Sequence, residues 1–203
     1  MIAIDPSTQS ERDNYKLLIG SIIPRPIAFV TTLSKEGVLN AAPFSYFTIV
    51  TANPPMVAVS VQRKGGVRKD TSRNAVDSGE FVVHISDESY IDAINQTAAA
   101  LPPDESEVAL AGLTPAPSSR LAVPGIAEAS IRMECVLEQA IPLGGTADAP
   151  AADLLIGRVV YMHIDDAIYE DGHIDPQKLM PVSRLAGSSY AKLGEMFAID
   201  RPS

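Results

Sequence analysis

A single cysteine, Cys135, in 203 residues leaves no partner for an intrachain disulfide and excludes a CxxC redox pair or a cysteine-rich zinc site. Histidine is nearly as scarce. His84, His163 and His173 are too scattered to form a metal site; the first two fall at alternating strand positions, where packing is the expected role, and His173 falls in an acidic turn. Positive charge is also in short supply. Sixteen Lys and Arg against 25 Asp and Glu give a formal net charge of −9, whereas a nucleic-acid or anionic-membrane binder needs a broad cationic face. Neither partner is expected. No unbroken apolar run reaches the ~20 residues of a membrane helix. The first residues, interrupted by Asp5, Glu11, Arg12 and Asp13, lack the basic-then-apolar pattern of a secretory leader, which makes the cytoplasm the expected location. GxGxxG, GxxxxGK[ST], HExxH and a nucleophile elbow are missing. The neighbouring pairs Asp165-Asp166 and Glu170-Asp171 suit solvated loops. No catalytic side chain and no metal ligand are therefore assigned.

What remains is an ordinary globular composition, 46% hydrophobic and 20% charged, enough for one core. Residues 1–203 are expected to form a single domain, with 1–12 as an N-terminal arm and 101–124 as a long, proline-punctuated surface loop region. A short helix capped by Asp13 or Asn14 and ended by Gly20 should precede Pro24 and Pro26. Alternation then predicts strands over 27–33, 44–51, 56–62, 81–85, 129–139 and 154–164, with a hairpin turn at 34–37. In the strand over 129–139, Ile131, Met133, Cys135 and Leu137 should face inward, and Arg132, Glu134 and Glu138 outward. Short helices are expected after Asp70 or Thr71, ending at Gly79, and over 88–100. With no internal repeat and no regular strand-helix alternation, the pattern predicts a mainly β, antiparallel barrel with a few peripheral helices.

The chain is organised around residues 40–74, where two unlike segments meet. From 37 to 62 no residue is charged, yet Asn40, Ser45, Thr48, Thr51, Asn53 and Ser60 supply polar groups. Directly after come Arg63, Lys64, Arg68, Lys69 and Arg73, five of the 16 Lys and Arg. Arg68-Lys69-Asp70-Thr71-Ser72-Arg73-Asn74 joins cations and hydroxyls to a helix start, whose free N–H groups and dipole favour an anion. Taken alone, that run fits a solvated loop with an ordinary N-cap equally well. Asn40-Ala41-Ala42-Pro43 has small side chains, against which a planar ring can lie and bond along its edge to backbone groups; it also fits a tight barrel corner.

These residues resemble the flavin-reductase-like FMN-binding split-barrel family, and within it the flavoredoxin-like branch. The resemblance is carried by Pro24-Arg25-Pro26-Ile27-Ala28 running to Thr31-Thr32, Asn40-Ala41-Ala42-Pro43-Phe44-Ser45-Tyr46-Phe47, Pro54-Pro55, and Lys69-Asp70-Thr71 with Asn74. Gly112-Leu113-Thr114-Pro115, Glu134-Cys135, Ile156-Gly157 and Ser183-Arg184-Leu185-Ala186-Gly187 follow in the family's order, so that it covers roughly residues 15–195. It implies a homodimeric split β-barrel of Greek-key type holding FMN noncovalently near the dimer interface. By the same resemblance Lys69, Asp70, Thr71 and Asn74 would take the phosphate. Thr31, Thr32, Asn40, Ala41, Pro43, Ser45, Tyr46 and Phe47 would hold ribityl and ring, with Arg25 and Ser60 as edge contacts. An NAD(P)H-dependent flavin oxidoreductase is the implied activity, with a nicotinamide or a protein electron donor as partner; the alternative is a flavoredoxin-type electron carrier. Ala151 and Ala152 stand where some monooxygenase-feeding reductases of the family carry an Asp-His pair, which argues against a dedicated NADH:flavin reductase.

Overall fold

The computed structural model describes residues 1–99 and 101–202. Seven strands form one antiparallel sheet: β1 (Ala28–Leu33), β2 (Leu39–Phe44), β3 (Phe47–Ala52), β4 (Pro55–Gln62), β5 (Glu80–Ile85), β6 (Ile131–Leu143) and β7 (Ala152–Ile164), in the spatial order β2-β1-β5-β6-β7-β4-β3. The two edge strands, β2 and β3, are consecutive in the chain and joined only by Ser45 and Tyr46. The sheet therefore curls until its edges face each other across that short link, and the Ser60 N–H donates to the Tyr46 carbonyl (2.8 Å), carrying the β3–β4 pairing one step beyond Phe47 and Val59 into the link. The barrel is split at this seam. Tyr46 breaks the predicted strand over 44–51 because the chain leaves one edge and joins the other there.

Successive strand residues face opposite sides, and both sides are covered. One core fills the barrel with Val30, Val59, Val61, Phe81, Val83, Cys135 and Leu155. The other packs Phe29, Ala41 and Val82 on the outside of β1, β2 and β5 against Tyr90, Ile94, Val108, Val123 and Ile126. Five helices are described: α1 (Glu11–Ser21), α2 (Asp70–Ser78), α3 (Ile91–Gln96), α4 (Glu107–Leu110) and α5 (Pro176–Leu179). The cap of α1 is Ser10, whose hydroxyl accepts from the Asp13 N–H (3.1 Å), rather than Asp13 or Asn14. Serine is a preferred cap residue, and the Ser10 hydroxyl in turn donates to the Asp13 carboxylate (2.7 Å). The helix expected over 88–100 is shorter, and the end of that range, Ala100, lies outside the described residues.

Glu134 is a further correction. Its strand parity does turn it out of the barrel, but it is fully buried, because its carboxylate accepts from the backbone N–H groups of Ser119 (2.6 Å) and Arg120 (2.7 Å) and pairs with His163. Burial would raise its pKa; those hydrogen bonds outweigh burial and hold it below the usual carboxylate value. The region 101–124 is thereby pinned to the sheet and also supplies the buried Glu107 and Val108 of α4. No helix among the described residues is long and apolar enough to cross a membrane.

Candidate functional site

At the seam the edge strand β2, the Ser45-Tyr46 link, β4, α1, the start of α2 and residues 184–190 line a cleft of about 420 Å³, within the ~300–1,000 Å³ of small-ligand sites. Pro43, Phe44, Ser45 and Tyr46 line it together with Ser60 and Gln62 of β4, Lys69, and Arg184, Leu185 and Tyr190; Ser60 adjoins Tyr46 through the backbone hydrogen bond between them. The seam explains why polar groups reach it. β2 is an edge strand of the sheet, and an unpaired strand edge leaves backbone groups free to meet a ligand. Lys69 is the N-cap of α2, no side chain caps that helix, and its Nζ lies 5.9 Å from the centre of the Phe44 ring. A cation beside an uncapped helix start is a setting for an anionic group.

Of the sequence-predicted residues, Arg25, Pro43, Ser45, Tyr46, Ser60 and Lys69 line this cleft. Phe47 lies in an adjoining apolar groove with Leu18, Ile22, Pro24 and Pro26. Arg25 is 6% exposed and its guanidinium is largely engaged with backbone: it donates to the carbonyls of Ile19 (2.7 Å), Ile22 and Leu185 (2.8 Å). That contact supplies the cation that the last turn of α1 lacks.

The other predicted residues do not line the cleft. Thr31 is buried and donates to the Pro124 carbonyl (2.7 Å). Thr32, Asn40, Thr71 and Asn74 form a buried network behind the cleft wall, in which Asn40 Oδ1 accepts from Thr71 (2.9 Å) and Thr32 (3.3 Å), and Asn74 Nδ2 donates to Thr32 Oγ1 (3.3 Å). The Ala41 N–H and Asn40 Nδ2 donate to Glu107. Asp70 pairs with Arg73.

The basic run is dispersed as well. Arg63 and Arg68 both pair with Asp153, which is fully buried and also accepts from Ser72 Oγ (2.7 Å). Burial alone would raise the Asp153 pKa, but Arg63 and Ser72 hold it below the usual value. Most of the cationic run thus answers anions within the chain, and Lys69 is its member in the cleft. Asp153 and Glu107 are the residues that sequence reasoning missed. A lone carboxylate opening the apolar run Leu154-Leu155-Ile156 was a signal for the first; nothing in the composition of residues 101–124 marked the second.

Among the described residues, the cleft lining holds no carboxylate, imidazole or thiol. Cys135 lies in the barrel core, where burial pushes its thiol up to about 12, so no thiolate is at hand. Among the described residues no group of three His, Cys, Asp or Glu is arranged to hold a metal ion. The site can bind, orient and charge-match a ligand.

The model of the flavin reductase like domain matches residues 19–178. An uncharacterized protein of Halalkalibacterium halodurans is 54% identical over 98% of this chain and 96% of its own length. The crystal structure of nitrilotriacetate monooxygenase component B from Bacillus cereus is 67% identical, covers 98% of each chain and superposes with a TM-score of 0.97. The 2-nitrobenzoate 2-nitroreductase of Pseudomonas fluorescens is 28% identical, with a TM-score of 0.89 over 99% of this chain and 96% of its own. Split-barrel proteins and flavoredoxins at lower identity share the fold. The chain belongs to the flavin reductase like family, and its fold is the antiparallel split barrel of that family.

Proposed function

We propose that this chain is an FMN-binding oxidoreductase that passes hydride or electrons from NADPH or NADH through noncovalently held FMN, working as a homodimer in the cytoplasm. The observation that carries the reading is the cleft at the barrel seam, which joins one free cation at an uncapped helix start, Lys69, to a neutral wall of Pro43, Ser45 and Tyr46. Those features fit a phosphate at one end and a flat polar ring along the wall. Bound FMN would supply the redox chemistry. The chain's own part is to hold and exclude. Lys69 and the first N–H groups of α2 neutralise the phosphate, Ser45, Ser60 and Gln62 offer hydrogen bonds, and Ile19, Ile27 and Phe44 shield the apolar face. Support also comes from the 67% identical monooxygenase component and the 28% identical nitroreductase.

A carrier of flavoredoxin type, fed by a protein donor, is the second reading. It is favoured by the lack of any carboxylate or imidazole in the cleft, since electron exchange needs no protonating side chain.

Lys69→Ala tests the phosphate assignment. The loop is exposed, so the variant should fold, and loss of one charge-assisted contact, worth ~1.5–3 kcal/mol, should weaken FMN binding about tenfold or more. Wild-type protein should prefer FMN to riboflavin, which lacks the phosphate. Unchanged FMN affinity in the variant would refute the assignment.

A further inference from the structure

Two buried carboxylates converge on consecutive hydroxyls in the first turn of α2. Asp153 accepts directly from Ser72 Oγ at 2.7 Å. Glu107 reaches Thr71 through one intermediary: both of its carboxylate oxygens accept from Asn40 Nδ2 at 3.0 Å, and Asn40 Oδ1 accepts from Thr71 Oγ1 at 2.9 Å. A carboxylate accepting three N–H contacts, two from Asn40 and one from the Ala41 N–H at 3.2 Å, is acceptor-only, so it fixes which way the Asn40 amide points. Asn40 must turn its NH2 to Glu107 and its oxygen to the hydroxyls. Every member is buried, with Glu107 6%, Asn40 7%, Thr71 2% and Ser72 0% exposed, and no buried side-chain N or O among the described residues is left without a partner. Such a closed network has one arrangement, because any rotation leaves a buried polar group unpaired.

What that arrangement fixes is the rotation of the helix start about its axis. Thr71 and Ser72 are held on the inner side of the turn, and Lys69, one residue ahead of the helix, is left facing the cleft. Neither carboxylate lines the cleft.

We propose that Glu107, acting through Asn40 and Thr71, is a positioning residue that aims the first turn of α2 and Lys69 at the cofactor phosphate, and so sets the preference for a phosphorylated flavin. This rests on the reading of the cleft as an FMN site with its phosphate at Lys69. It also gives the region 101–124 a role: α4 carries one of the two anchors of the phosphate loop, across 67 residues of chain from Asn40.

The test is the ratio of riboflavin to FMN dissociation constants, measured by flavin fluorescence quenching on purified apoprotein. In Glu107→Ala, FMN affinity should fall about tenfold, the size of one lost charge-assisted contact, and riboflavin affinity should stay within about twofold. A merely structural role would weaken both flavins together, and that result, or no change in either, overturns the proposal. Should Glu107→Ala fail to fold, Thr71→Val, which deletes the hydroxyl at nearly constant shape, must lose the FMN preference while Thr71→Ser keeps it; retention in Thr71→Val overturns the proposal equally. Lys69→Ala separates the two levels. If Lys69→Ala loses the preference and the Glu107 and Thr71 variants keep it, the phosphate reading stands and this proposal falls. If wild type binds both flavins alike, both fall.

Discussion

His84 shows how a residue with no part in the cleft can still govern the protein's response to acid. Its Nδ1 lies 2.8 Å from the Phe29 carbonyl and its Nε2 accepts from the Ile126 N–H at 2.9 Å. Nε2 must be unprotonated to accept, so the ring is the neutral Nδ1–H tautomer. Burial is the main cause that lowers its pKa from 6.5 to about 4. Between those values the unfolded chain binds a proton that the folded chain does not, so stability is full above about 6.5 and is lost as pH falls toward 4. Urea unfolding across that window should show the decline. His84→Gln, whose amide can donate to Phe29 and accept from Ile126 without titrating, should show a flatter slope; parallel slopes would contradict this role. Lys69 and Glu107 complete the residue scale, the one as the cation that remains for a ligand, the other as the anion that holds the loop behind it.

Among the elements, β7 must lie close against the barrel core, and Gly157 is where it does so. A Cβ at that position would collide with the Phe81 ring and press on Cys135, both fully buried. Gly157 also sits at a register shift between β7 and β6, where a bulge bends the strand. Gly157→Ala should therefore destabilise the fold by ~1–3 kcal/mol, as overpacking does, lowering the unfolding midpoint while leaving the far-UV spectrum unchanged; an unshifted midpoint would contradict the packing argument. Strands with clean alternation, such as β4 and β6, were legible in the sequence because period 2 is a local property. The split at Ser45-Tyr46 was not, since it depends on how the two edges of the sheet meet. The same limit applied at the site. Residues 40–47 and Lys69 could be grouped from composition, but only tertiary pairing reveals that Arg63 and Arg68 belong to Asp153 and that Asn40 and Thr71 belong to Glu107.

At the scale of the whole molecule, the edge strand β3 and α1 present apolar surface that one chain does not cover. Ile49 is 77% exposed and Ile22 60%, and the groove between these elements is lined by Leu18, Ile22, Pro24, Pro26 and Phe47. An uncovered edge with apolar side chains invites pairing, which supports the proposed homodimer beside the cleft. Light scattering at micromolar concentration should give twice the 21.5 kDa chain mass, and Ile49→Asp should shift it toward the monomer; a monomeric wild type with FMN bound would contradict the dimer.

The proposed activity is tested most directly by anaerobic mixing of the FMN-loaded protein with NADH and with NADPH, followed at the flavin absorbance. The account predicts bleaching by at least one of them without any added partner protein. Arg184, which lines the cleft and stacks at 4.4 Å on Tyr190, is a cation placed to meet a 2′-phosphate; a preference for NADPH that shrinks with added salt would mark its use. An oxidised spectrum that persists with both nicotinamides would contradict the nicotinamide-dependent reading and favour an electron carrier.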